Sequence, residues 1–311
     1  MRVAVLVGGP SPEGEGSYTS GEPAAKALTE LGHSVDTLDM LDAEFWKKLP
    51  AYDMAFLAGH GWYAEDGKLQ GLLEMLRTPY TGSGVLASAL GMHKPTFKQL
   101  MTAHGIPVLP TAVLRRGMTG AQIQQAIAHL EFPLFLKPSS SGDSFEAGIM
   151  RSVEDIEGIL NTEGRFVSQE YLAEPYLSTN TMTVGILEID GEVRALPVLE
   201  AISSNEFYDN EAKNDPSLTE YKCPAPIPRE LSDQMQAVAL KVFGICGCYG
   251  VGRVDFMMSP QGPVVLELNT IPGLALTGNL ATMAAAGGVD YPRMIEAILA
   301  GGLARPAVYH P

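Results

Sequence analysis

The sequence predicts an α/β chain that opens on a parallel sheet and continues into two α+β units, the last built around a β-hairpin. Three observations carry this. Arg2–Val7 is a short apolar run closed by Gly8-Gly9, and 21–31 then carries Ala24, Ala25, Leu28 and Leu31 at helical spacing before a second strand at 34–38. With a third apolar strand at Met54–Leu57, this β-loop-α-β opening needs crossover helices, and it sets the glycine-rich loop at the carboxyl ends of the strands, where ligands bind. Near residue 92 the texture changes to alternating shorter helices and strands. Finally, residues 250–273 alternate apolar and polar side chains on both sides of a turn.

Within the second unit the spacing predicts a helix over 94–105, a strand over 108–114, a helix over 120–130 and a strand over 134–137 that runs into Pro138 and three serines. Ser152 and Asp155 have capping-box spacing and open a further helix. Strands at 183–189 and 193–201 lead into a polar stretch, 203–219, whose length and scarcity of core residues suit a lid. A helix over 230–245, the hairpin and a last helix after the Asp290 cap complete the third unit. The units divide as 1–91, 92–180 and 181–311.

The hairpin holds the most chemistry. With Pro260-Gln261-Gly262 as a three-residue loop and Gly262 at the positive-φ position, Ser259 pairs with Pro263, Asp255 faces Glu267 and Arg253 faces Asn269. Val254, Phe256, Val264, Leu266 and Leu268 then share the opposite, core face. Two carboxylates and a carboxamide on one rigid face form an all-oxygen ligand set suited to Mg²⁺, and Arg253 beside them suits a phosphate. A lone carboxylate pair on a strand is otherwise a solvated cross-strand feature.

Composition narrows the partners. The 311 residues are 46% apolar, enough for a large core and two or three domains, and the net charge of −15 argues against nucleic acid. An anionic ligand must therefore be held by a few local cations. The amino-terminal apolar run is too short for a signal segment and no stretch approaches a membrane span, so a cytoplasmic protein is expected. The three cysteines, with Cys246 and Cys248 one residue apart, read as reduced thiols rather than zinc ligands.

The glycine-rich loop after the first strand lacks a dinucleotide fingerprint and a phosphate-binding lysine, and Glu13 and Glu15 there suit an ammonium group rather than a phosphate. Six segments follow in order: GGPSPEGEGSYTSG (8–21), HGWYAEDGKLQG (60–71), PYTGSGVLASALGMHK (79–94), FLKPSSSG (135–142), FYDNEAK (207–213) and GRVDFMM with VVLELNTIPG (252–273). Together they resemble the D-alanine–D-alanine ligases of the ATP-grasp superfamily, over residues 1 to about 300. Taken singly, Lys94 and Lys137 read as surface lysines and His60 as a satisfied core histidine. The joint order of the segments is what overrides those readings.

The resemblance implies an ATP-grasp fold behind an amino-terminal parallel-sheet domain, ATP and a pair of Mg²⁺ ions (or Mn²⁺) as cofactors, and a cytoplasmic homodimer acting on small amino-acid substrates in cell-wall precursor synthesis. It implies that Lys94 and Lys137 bracket the ATP phosphates, that Gln169, Glu170, Tyr171 and Leu172 form the adenine-binding linker, and that Asp255, Glu267 and Asn269 hold the metal. Arg253 stabilises the transferring phosphoryl group, Glu15 anchors the first substrate's amine, Gly273 offers a backbone N–H to a tetrahedral oxyanion, and Tyr208 and Lys213 belong to the lid.

Departures cluster in the amino-acid pocket. Asp143, followed by Ser144, stands at the family serine of the central loop, Asn214 replaces a tyrosine, and Gly278-Asn279-Leu280 stands where a serine and leucine face the second substrate. Thr181 occupies the place of the ribose-binding glutamate, with Glu174, in a local insertion, as a substitute. Two like charges about 5 Å apart at an effective dielectric near 20 repel by roughly 3 kcal/mol, so Asp143 facing a carboxylate is costly. The leading expectation is an ATP-dependent carboxylate–amine ligase. The alternatives are a relative joining another amino-acid pair or cyclising a single derivative, a dinucleotide-dependent oxidoreductase, and a catalytically silent nucleotide binder.

Overall fold

A computed structural model describes residues 1–142, 146–163, 168–207 and 217–305. Its opening is a parallel sheet of β1 (Arg2–Val7), β2 (Ser34–Asp39) and β3 (Met54–Leu57) in the order β2-β1-β3. Val3, Val5 and Val7 pack on one side with Ala24 and Leu28, while Ala4 and Leu6 pack on the other with Leu69, Leu73 and Tyr80. Both faces are covered, which is why β1 reads as an unbroken apolar run. The first helix spans Gly16–Glu30, starting five residues before the expected Gly21. Gly21 lies inside it as a close-approach residue: a Cβ there would meet Val7 Cγ1 at 2.2 Å.

The second sheet is antiparallel, with β4 (Ala112–Arg115), β5 (Leu134–Pro138), β6 (Gly148–Met150) and β7 (Glu170–Pro175) in the order β4-β7-β5-β6. Leu134, Leu136, Tyr171 and Ala173 face the helices Gly120–Ala126 and Val153–Leu160, and the Ser152–Asp155 capping box is present. By the period of two, Phe135, Lys137, Leu172 and Glu174 face the opposite way.

The third sheet contains β8 (Thr181–Ile189), β9 (Glu192–Ala195), β10 (Leu199–Ser203), β11 (Thr219–Lys222), β12 (Val251–Ser259) and β13 (Gly262–Asn269). Its order is β11-β10-β8-β12-β13, with β9 also on β8. The single strand expected over 193–201 is two, because Pro197 has no N–H to continue the ladder. The helices Lys94–Ala103 and Arg229–Ile245 pack on this sheet through Phe97, Met101, Met235 and Phe243.

The hairpin differs from expectation in a compensating way. Its loop is two residues, with Gly262 opposite Ser259, and Met257 pairs with Val264 and Phe256 with Val265. A bulge between Asp255 and Phe256 then restores Asp255 opposite Glu267 and Arg253 opposite Asn269. Consequently Val265 enters the core, Val264 is buried opposite Met257, and Leu266, expected in the core, turns toward the cleft beside Met257.

Candidate active site

Two antiparallel sheets face each other across a cleft, and the Lys94–Ala103 helix lies beside it. Phe97 and Met101 anchor that helix in the third core. Lys94 and Lys98, one turn apart, leave the same helix on the cleft side. The cleft encloses a cavity of about 450 Å³. Phe135, Leu177, Met257 and Leu266 form its apolar part, and Lys94, Lys137, Arg253, Asp255 and Glu267 its polar end.

At that end Arg253 donates from Nε to Asp255 Oδ1 at 3.0 Å and from Nη2 to Oδ2 at 2.9 Å, a bidentate pair. Asn269 Nδ2 donates to Asp255 Oδ2 at 3.0 Å and Thr183 Oγ1 to Oδ1 at 2.6 Å. Lys94 Nζ lies 3.3 Å from Glu267 Oε2 and donates to Ser141 O at 2.5 Å. The hairpin thus brings Arg253, Asp255, Glu267 and Asn269 together on one face. Among the described residues no group of three His, Cys, Asp or Glu could hold a metal, so a ligand set here depends on the Asn269 carboxamide.

Glu174 sits between Lys98, which donates to its Oε2, and Lys137, whose Nζ is 2.6 Å from its Oε1. Burial alone pushes the Glu174 carboxyl up, but the two ammonium groups outweigh it and hold it down, at about 2. For Lys98 burial wins and its pKa is lowered; for Lys137 burial is outweighed by Glu174 and Glu267 and its pKa is raised.

Two assignments need correction. Gln169, Glu170, Tyr171 and Leu172 are absent from the cavity wall: Tyr171 packs in the second core, Leu172 is fully buried, and Glu170 pairs outside with Arg115 at 3.0 Å and His93 at 3.3 Å. The segment lining the cavity between the sheets is Glu174-Pro175-Tyr176-Leu177, five residues later, followed by 178–181. Glu174 therefore belongs to β7 and to an ion triad with Lys98 and Lys137. Both segments end in Tyr-Leu, and what separates them is their place on β7: the first lies at its start, the second at its end, where the chain leaves the sheet.

The second correction concerns the first loop. Glu15 is exposed and borders neither the cleft cavity nor its neighbour, whereas Glu13 is buried and borders that second cavity, of about 220 Å³, with Ser20, His60, Gly273 and Asn279. Gly142 N donates to Glu13 Oε1 at 3.0 Å. Ser20 Oγ accepts from Leu274 N at 3.0 Å and lies 3.0 Å from His60 Nε2, which braces the turn containing Gly273. Lys94, Ser141, Gly142, Arg253, Glu267 and Asn279 border both cavities. Asp143, Ser144, Tyr208, Lys213 and Asn214 lie outside the described residues. At the base of the expected lid, Phe207 meets Phe135 edge-to-face at 5.1 Å, and the Glu206 carbonyl accepts from Tyr176 Oη at 2.6 Å.

A pair of sheets that clasps a cleft, with Lys137 on one and the carboxylates of a hairpin on the other, is the ATP-grasp arrangement. The families described as D-ala D-ala ligase N-terminus and D-ala D-ala ligase C-terminus match residues 38–83 and 100–300. The chain is 38% identical to the D-alanine–D-alanine ligase of Syntrophotalea carbinolica, covering 98% of this chain and 97% of the relative. It is 37% identical to that of Geotalea uraniireducens, covering 96% and 94%. Among solved structures, the Bacillus anthracis D-alanine–D-alanine ligase complexed with ATP superposes with a TM-score of 0.84 at 27% identity, covering 97% of each chain. The chain belongs to the D-alanine–D-alanine ligase family.

Proposed function

We propose that this chain is an ATP-dependent ligase that joins two D-alanine molecules, using the larger cavity for ATP and the smaller for the amino acids. The observation carrying the assignment is the shared wall: cations for phosphates and oxygens for a divalent ion border the same opening onto a cavity with a buried carboxylate. In such a reaction the first substrate's carboxylate attacks the γ-phosphate of ATP, releasing ADP, and the second substrate's amine then displaces phosphate from the acyl phosphate.

Glu13, buried and beside Ser141–Gly142, is placed to hold the first amine. Lys94 and Lys137 face the phosphates as point charges, and Arg253 meets the charge that builds up on the transferring group. The Glu174–Leu177 backbone borders the adenine end. The oxygens of Asp255, Glu267 and Asn269 suit Mg²⁺, since a cation, the Arg253 guanidinium, already sits on Asp255; Asn269 needs only to turn its amide to present oxygen. When bound there, the ion supplies charge neutralisation across the phosphates. Glu13 also weighs against a dinucleotide enzyme, because a pyrophosphate at the first loop would meet its carboxylate.

Among the described residues no helix is long and apolar enough to cross a membrane. A cytoplasmic location, a homodimer and a cell-wall precursor role complete the proposal. The test is phosphate release from ATP and Mg²⁺ with single and paired D- and L-amino acids, with products identified by mass. Release that needs D-alanine and yields the dipeptide is expected. Release without any amino acid, or with L-amino acids alone, would overturn the assignment.

A further inference from the structure

Four successive residues, the last two of which border both cavities, are each held by a group from outside their own loop. Ser139 O accepts from Lys94 N at 2.9 Å and Ser141 O from Lys94 Nζ at 2.5 Å. Gly142 N donates to Glu13 Oε1 at 3.0 Å, and Ser140 O accepts from the indole Nε1 of Trp62 at 2.7 Å. Lys94 and Glu13 also face the substrate cavities; Trp62 borders neither.

Trp62 is presented by a loop built to hold it. Gly61 and Tyr63, its two neighbours, have φ of 73° and 70°, and a left-handed Tyr is strained backbone. Gly61 N donates to Glu65 Oε2 at 2.8 Å and Tyr63 N to Asp66 Oδ2 at 3.0 Å, which keeps that shape. Packing cannot do the same for Ser140. A separate cavity of about 470 Å³, bordered by Trp62, Tyr63, Lys68, Met92, His93 and Ser140, leaves space on this side of the loop. A polar clasp is what remains to fix the carbonyl.

We propose that Trp62 is a positioning residue whose indole N–H latches the Ser139–Gly142 loop, and so sets the wall that the two cavities share. The role in turnover rests on the ligase reading above, but the latch itself is measurable without turnover. Replacing Trp62 with Phe keeps the ring and removes the donor. One hydrogen bond of this kind accounts for about a tenfold change in local opening. Hydrogen exchange in peptides covering residues 138–142 is therefore expected to quicken about tenfold in Trp62→Phe, with β4 and β7 and the melting temperature unchanged. Both the ATP and the first amino-acid KM should rise several-fold together, because Ser141 and Gly142 border both cavities. Trp62→His, which keeps a ring N–H, should recover part of the protection. Unchanged exchange in Trp62→Phe would overturn the latch, and so would faster exchange spread evenly through the second sheet, which marks a purely structural role. If the parent protein proves inactive as a ligase, the ligase reading falls while the exchange result still decides the latch.

Discussion

Replacing Glu174 with Gln tests where the nucleotide linker lies. The residue is 2% exposed, and its carboxylate touches the ammonium groups of both Lys98 and Lys137. A pKa lowered from 4.5 to about 2 corresponds to roughly 3 kcal/mol of stability above pH 4.5. That agrees with the ~3–5 kcal/mol cost of removing one partner from a buried pair. Gln fills the same volume but leaves two buried ammonium groups facing each other, and Lys98, already lowered by burial, gives up its proton first. The sign follows from the depressed pKa: the contribution is present above the ordinary carboxyl value and is lost as pH falls from 4.5 toward 2. Urea denaturation at pH 7 should show Glu174→Gln about 3 kcal/mol less stable than the parent, with the difference shrinking below pH 4.5, and the KM for ATP should rise at least tenfold. Glu170→Gln is the control. Its partner Arg115 is largely exposed, so the pair contributes at most about 1 kcal/mol and the ATP KM should stay within threefold. If Glu170→Gln impaired ATP use as much as Glu174→Gln, the assignment of the linker to 174–177 would be wrong.

Glu13→Gln should raise the KM for the first amino acid tenfold or more while Glu15→Gln stays within twofold, because only Glu13 borders the smaller cavity; steady-state kinetics with varied D-alanine decides between them. Glu267→Gln should raise the Mg²⁺ concentration for half-maximal turnover about tenfold, since it removes one oxygen charge from the proposed set and a partner of Lys94. An unchanged Mg²⁺ requirement would remove Glu267 from the ligands.

The sequence reading succeeded where pattern is local. The capping residues Ser152 and Asp290 were visible as such, whereas Asp255 faces Glu267 and Arg253 faces Asn269, as expected, only because a bulge offsets a loop one residue shorter than the expected one. It failed where long-range register decides. In Val264-Val265-Leu266 every residue is apolar, so nothing local says which one the bulge turns toward the cleft. Gln169-Glu170-Tyr171-Leu172 and Glu174-Pro175-Tyr176-Leu177 look alike, and only the end of β7 at Pro175, where the chain leaves the sheet, tells which one lines the cleft. Glu13 and Glu15 lie two residues apart in a 3₁₀ turn, which puts them on different sides at about three residues per turn. In the sequence they are simply two acids in one loop.

The ion pairs also explain how a chain of net charge −15 can take up a polyphosphate. Among the described residues, Lys94, Lys98, Lys137 and Arg253 pair with three acids, Glu267, Glu174 and Asp255. These seven groups therefore carry one surplus positive charge, in a site where the low local dielectric makes it count. Glu174 is shared by two lysines and enclosed in β7, so it stays as a fixed counter-charge. Asp255 and Glu267 differ, since among the described residues each meets one cation at ion-pair distance, Arg253 and Lys94, where Glu174 meets two. On the proposed reading, arriving phosphates compete with those two carboxylates for Arg253 and Lys94, and each pair that opens frees carboxylate oxygens for a divalent cation. Phosphate and metal uptake are then two halves of one exchange, so each should tighten the other's binding, as thermodynamic linkage requires.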